Sequence, residues 1–200
     1  MESVTRPRRG APPKGEASAR DRILATASEL FYREGIRAIG VDTVVERSGV
    51  SKTSLYRLFD SKDALIAAFA AEKDRLFWVW WDRIEGQHPD DPRALLDALL
   101  SGIAKQIMRP EYRGCPFLNL ATEFTDSNHP GRIIGRRNKE EMQARLARVV
   151  AKLGVSDPDR TAAQIAQLIN GAYVTGLLVP PTHLKSDLLD AATKLVRSSC

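Results

Sequence analysis

The stretch "GVDTVVERSGVSKTSLYRLF", Gly40–Phe59, holds two apolar registers separated by one glycine. Val41, Val44 and Val45 recur at helical spacing before Gly49, and Leu55 and Phe59 lie four apart after it. This spacing predicts two short helices. Gly49 breaks the chain between them, Val50 packs beneath the turn, and the Ser51 hydroxyl is suited to cap the second helix. With Leu55 and Phe59 turned inward, Lys52, Thr53, Tyr56 and Arg57 share the outer face. Two helices joined by a tight glycine-containing turn, the second with a polar face, form a helix-turn-helix. A plain core helix needs only the apolar anchors. The donors Lys52, Thr53, Ser54, Tyr56, Arg57 and Lys62 suit a surface laid against a polyanion.

Upstream, Ser18 stands three residues before Asp21, an N-terminal capping signal. Ile23, Leu24, Ala27, Leu30 and Phe31 then repeat at three and four, and Gly35 stops that helix. Residues 1–15 carry three Pro, two Gly and four Lys/Arg, so residues 1–16 are expected to form a mobile basic arm. Its Arg6, Arg8, Arg9 and Lys14 suit a duplex backbone or a minor groove.

Downstream, Ser61 caps a long helix expected to reach about Glu85. Leu65, Phe69, Leu76, Trp80 and Ile84 fall on one third of its circumference, Phe77 and Trp81 widen that arc, and Trp78 points away from it. So wide an apolar face implies burial against more than one neighbour. "GQHPDDP" is a connector, followed by a helix from about Arg93 to Met108. "CPFLNLATEF" reads as helical after Pro116. A long charged helix follows, with Ile133, Ile134, Met142, Leu146, Val149 and Val150 on one side. Another helix runs up to the prolines at 180 and 181, and the last spans about Lys185 to Arg197. No period-2 pattern occurs, so the expected fold is all-α. The expected domains are 17–62, a helix-turn-helix domain suited to DNA, and 63–200, a helical second domain.

Charge places the partner. Residues 1–62 hold 12 Lys/Arg against 8 Asp/Glu, whereas residues 63–200 hold 18 against 17. The positive excess therefore sits in the first third, where it attracts phosphates. There is no long apolar run, and no apolar stretch follows the N-terminal arginines, so neither a membrane span nor a secretory signal is expected. Two cysteines far apart, Cys115 and Cys200, point to a reducing cytoplasm rather than a disulfide framework. His88, His129 and His183 show no metal-ligand spacing, and no metal or cofactor is expected.

The segment "GVDTVVERSGVSKTSLYRLFDSKDAL", preceded by a helix ending in "LFYREG", resembles the TetR/AcrR family of transcriptional regulators. The resemblance is strong over about Arg20 to Ala70, and the all-helical remainder agrees with it in size and layout. It implies a homodimer that places one recognition helix per subunit in a major groove. Carried onto this sequence, Lys52, Thr53, Ser54 and Arg57 face the groove, while Tyr56 and Lys62 contact phosphates. Gly40 departs from the pattern, because the family usually has Ser or Thr capping the first helix of the motif there. Glycine supplies no hydroxyl, and Thr43 is a substitute contact.

Two-fold symmetry requires a near-palindromic operator. The dimer contact is expected on the last two helices, through Ala162, Ile165, Leu168, Ile169, Ala172 and Leu177. Gly171 and Gly176 would admit a partner helix, and Leu184, Leu188, Leu189, Ala192 and Leu195 extend the stripe. The resemblance also implies a small-molecule pocket in the C-terminal helices, whose filling moves the two DNA-binding units apart. Candidates to line it are Phe77, Trp81, Ile103, Ile107, Phe117, Leu120, Phe124 and Tyr173, with Asn119 and Asn170 as polar contacts. The expected effector is a small apolar or amphipathic molecule, and the expected role is that of a repressor released by it. Two other readings are open. One is an enzyme using a Cys115–His129 pair; the other is a constitutive DNA-binding dimer with no ligand response.

Overall fold

The computed structural model describes residues 17–180 and 182–199. The basic arm at 1–16 and Cys200 lie outside the described residues. Among those described there is no strand; the chain forms nine helices and divides into two compact units, one up to Leu65 and one from Ile66.

In the first unit, α1 (Ala19–Glu34) starts at Ser18, whose Oγ accepts from the Asp21 N–H at 3.1 Å while its hydroxyl donates to the Asp21 carboxylate at 2.7 Å. Helix α2 (Val41–Ser48) ends at Gly49 with φ 65°, and the Gly49 N–H donates to the Val45 carbonyl at 3.1 Å. A left-handed residue at that point costs a side chain dearly, so glycine is the residue that lets α2 stop and the chain turn into α3 (Lys52–Leu58). The Ser51 Oγ caps α3 by accepting from the Ser54 N–H at 3.2 Å. Helix α1 packs on α2 and α3. Ile23, Ala27, Leu30 and Phe31 are buried, as are Val44, Val50, Leu55 and Phe59, as the spacing predicts.

The long helix α4 (Lys62–Gln87) begins at Ser61, whose Oγ accepts from the Ala64 N–H at 3.0 Å. After it come α5 (Pro92–Ile107), α6 (Pro116–Glu123), α7 (Pro130–Ala151), α8 (Pro158–Leu178) and α9 (Leu184–Ser198). Four of these open with proline at the first helical position, where no N–H is needed. At three of them the preceding side chain, Asp91, His129 or Asp157, caps the helix. Helix α7 packs on α6, α8 and α5, and α9 packs on α8 and α5.

The arc expected on α4 is corrected in two places. Leu76 is exposed, and Trp78 is partly buried against the core. The reason is a polar contact from α7. The Trp78 N–H donates to Asp74 Oδ1 at 2.9 Å, the Asn138 amide donates to the same oxygen at 2.9 Å, and the Arg145 guanidinium lies 4.3 Å from the Trp78 ring. Arg145 also pairs with Glu141 at 2.9 Å and with Asp82, tying α7 to α4. Apolar spacing alone does not register a neighbour that approaches through hydrogen bonds.

The stripe expected to face a partner subunit lies largely inward. Ala162, Ile165, Ile169, Ala172, Leu188 and Ala192 are buried in this chain's own core, and Leu168, Leu184, Leu189 and Leu195 pack partly buried against it. At Gly176 a Cβ would stand 2.1 Å from Ile107 Cγ2, so that glycine accommodates its own α5 rather than a partner. The apolar stripe is satisfied first by the chain's own α5, α7, α8 and α9. What remains exposed is Val174, Leu177, Leu178 and Val179, with open space around Gly171.

Candidate functional site

Burying Leu55 and Phe59 turns the opposite face of α3 to solvent, and the structure exposes Lys52, Thr53, Tyr56 and Arg57 together. Tyr56 is 44% exposed, high for an aromatic residue. The other three candidates are less available. The Ser54 hydroxyl is bonded to Ser51 Oγ at 2.9 Å, so it serves the cap; Thr43 is half-buried on α2. Lys62 is half-buried, and its amine donates to the Arg37 carbonyl at 3.4 Å.

One feature of this face was not legible in the sequence. Lys52 Nζ lies 2.7 Å from Asp42 Oδ1, a pair made across α2 and α3. The hydrogen bond and charge of Asp42 hold the Lys52 ammonium above the ordinary lysine range. Asp42 thus competes with any phosphate for Lys52, and only the turn at Gly49 brings the two together.

Gly40 precedes α2 with φ −80° and ψ 161° and offers no side-chain cap. Any residue adopts that conformation, and nothing lies within 4 Å of a Cβ built there. Gly40→Ser is therefore expected to raise the unfolding free energy by about 0.5–1 kcal/mol, through the cap and a less flexible unfolded chain. Urea unfolding followed by circular dichroism checks this; a destabilised variant would contradict the open geometry.

The second unit contains a cavity of about 520 Å3. Helix α4 supplies Lys73, Leu76, Phe77, Trp80 and Arg83, positions three, four and seven apart. Gly102, Lys105 and Gln106 of α5, with Arg109 just beyond it, repeat the same spacing. Cys115, Pro116 and Phe117 come from the start of α6, Asn138 and Lys139 from α7, and Tyr173 from α8. Gly102 lets Trp80 lie against α5, since a Cβ there would meet its ring at 2.6 Å. Burial pushes the Lys73 ammonium below the ordinary lysine range, against the opposing pull of Glu72.

Of the residues expected to line a pocket, Phe77, Phe117 and Tyr173 do. Trp81, Ile103, Ile107 and Leu120 are instead buried in the core and do not line it. Asn119 donates to the Arg113 carbonyl at 2.9 Å, Phe124 stacks on His129 at 4.0 Å, and Asn170 Oδ1 accepts from Lys139 at 2.8 Å. Apolar spacing finds the inward side of a helix, but not which inward side chains border a void. The cationic lining, from Lys73 to Lys139, was missed. Its signal was present in the way Lys73 shares a stripe with Phe77 and Trp80, and Lys105 with Arg109.

Cys115 is buried and free at the start of α6. His129 Nδ1 accepts from the Gly131 N–H at 3.2 Å, which commits the ring to capping α7. Among the described residues no helix is long and apolar enough to cross a membrane.

Comparison with known proteins agrees with this geometry. The sequence model described as "Bacterial regulatory proteins, tetR family" matches residues 23–69. SCO4454, a TetR-family transcriptional regulator from Streptomyces coelicolor, superposes with a TM-score of 0.86 at 29% identity, over 90% of this chain and 95% of that one. The sav143 protein of Streptomyces avermitilis is 32% identical with a TM-score of 0.70, over 88% of this chain and 99% of that one. The HTH-type transcriptional regulator YxaF of Bacillus subtilis is 26% identical over 166 residues, covering 82% of this chain and 86% of its own length. The three-helix first unit carries the DNA-binding helix-turn-helix of a transcriptional regulator, and the chain belongs to the TetR family of bacterial transcriptional regulators.

Proposed function

We propose that this regulator is a homodimeric repressor, released from a near-palindromic operator by a small molecule bound in its second unit. The observation that carries the reading is the division of labour on α3. Leu55 is fully buried while Lys52, Thr53, Tyr56 and Arg57 stand exposed beside it. Phosphate contacts from Tyr56 and Lys62 would set affinity and register, and Arg57, Lys52, Thr53 and Ser54 would choose bases. The ligand response is supported by the cavity of about 520 Å3, a size that suits a small molecule. The helix that supplies five of its lining residues begins at Lys62. A ligand acts only if it binds the two arrangements of the protein unequally. Dimerisation is supported by the exposed apolar run Val174, Leu177, Leu178 and Val179 near the end of α8. The constitutive reading gains nothing from a cavity of this size.

The test is selection of DNA from a random pool by the purified chain, with sedimentation of the complex. The expected result is a two-fold symmetric consensus bound by a dimer, its half-sites about 34–36 Å apart or a multiple of that. Enrichment of an asymmetric site by a single subunit would overturn the homodimer reading.

A further inference from the structure

Three candidates stand out beyond the DNA-binding face: the exposed apolar end of α8, the buried Cys115, and the charge lining the cavity. The first belongs to the dimer reading above, and a lone buried thiol is no site by itself. The cavity's charge carries further.

We propose that the cavity selects an amphipathic anion, a carboxylate or phosphate head group on an aromatic or alkyl body. This rests on the reading that the cavity is the effector site, and it names the chemical class of the effector. Five cations line the cavity, namely Lys73, Arg83, Lys105, Arg109 and Lys139. Among the described residues no aspartate or glutamate lines it. Of the carboxylates adjacent in sequence to Lys73 and Lys139, Glu72 and Glu140 pair with arginines, and Asp74 accepts from the Trp78 and Asn138 N–H groups. Glu72 is held by Arg75 at 2.7 Å, and Glu140 lies 3.7 Å from Arg136.

The cations fall into two sets. Arg83, Lys105 and Arg109 are exposed and mark the mouth, as does Leu76. Lys73 and Lys139 are half-buried among aromatic rings. Lys139 Nζ lies 4.9 Å from the centre of the Tyr173 ring and donates to Asn170, a neutral partner. Phe77, Trp80, Phe117 and Tyr173 provide an apolar wall for the body of the ligand. Drawing a lysine ammonium partly out of water costs it hydration. An anionic head group replaces that lost hydration, and its hydrogen bonds to charged donors are stronger than neutral ones. A purely apolar ligand would bring no charged acceptor to this cationic lining. The depressed Lys73 ammonium reports the same burial.

The probes are 8-anilinonaphthalene-1-sulfonate and its uncharged relative N-phenyl-1-naphthylamine, which share an aromatic body and differ in the anionic group. On the full chain the sulfonate is expected to bind at least about tenfold more tightly. The double substitution Lys73→Met with Lys139→Met is expected to abolish that preference while neutral-probe binding stays within about twofold. Lys152→Gln with Lys194→Gln removes the same charge from exposed positions that do not line the cavity, and should keep the preference. Dodecanoate and dodecyl phosphate should both displace the sulfonate, with dodecanol markedly weaker; the better of the two anions identifies the head group. Equal binding of the charged and neutral probes overturns the inference. So does a preference that survives loss of Lys73 and Lys139, or one lost equally in the Lys152 and Lys194 variant. Operator release is measured separately. Anions that fill the cavity without releasing DNA defeat the ligand-responsive reading and leave the anion site standing. Release by dodecanol with no anion preference does the reverse.

Discussion

Replacing Trp81 by alanine is expected to lower the unfolding free energy of the second unit by about 3–5 kcal/mol. Trp81 is fully buried and is the largest side chain of the core to be so. Its ring meets three other aromatics of α4, with centroid distances of 5.9 Å to Phe77, 5.8 Å to Trp78 and 6.3 Å to Trp80. Removing it loses the transfer of a large apolar surface and leaves a void that close-packed neighbours fill only in part. The indole N–H finds no acceptor among the described residues. Trp81→Phe should therefore cost markedly less than alanine, since it deletes an unpaired buried donor together with part of the volume. Denaturant unfolding of both variants, followed by far-ultraviolet circular dichroism, measures the difference. A loss below about 1 kcal/mol for alanine would place Trp81 at a site able to collapse.

The second large effect is on DNA. Tyr56→Ala and Lys62→Ala are expected to weaken binding to operator and to unrelated DNA by similar factors, and removal of the lysine should flatten the salt dependence by about one unit of slope. Arg57→Ala is expected to cost about 1–3 kcal/mol at the operator and to relax the choice of particular bases. Lys52→Ala should act in the same sense. Lys62 also bonds the Arg37 carbonyl, so Lys62→Gln is the better reporter of charge; it keeps a donor there. Asp42→Asn supplies a variant of opposite sign. It removes the carboxylate that holds Lys52 at 2.7 Å, and DNA binding should tighten. Titrations of labelled operator and scrambled duplex at several salt concentrations separate these outcomes. Equal losses on both duplexes for Arg57→Ala would assign that residue to the phosphate backbone.

The all-helical fold was legible because each element carries its own local signal. Ser18, Ser51 and Ser61 cap helices through side chains that reach only three residues ahead. Gly49 marks the turn because a positive φ is a property of one residue. The exposed face of α3 followed from the same local geometry, since fixing Leu55 inward fixes Lys52, Tyr56 and Arg57 outward.

What only the tertiary structure decided depends on pairs distant along the chain. Whether Gly176 faces a partner helix or its own Ile107, whether Trp78 is covered by Arg145, and whether Asp42 engages Lys52 are matters of which elements approach one another. The cavity belongs to the same kind. Lys73, Lys105 and Lys139 lie on three different helices, and each is an ordinary polar residue within its own helix. The sequence by itself determined the helices, their caps and the cationic face of α3, because residues within one turn of each other settle those. Only packing decided that the cations of α4, α5 and α7 border one cavity, because which helices come together is not a property of any one of them.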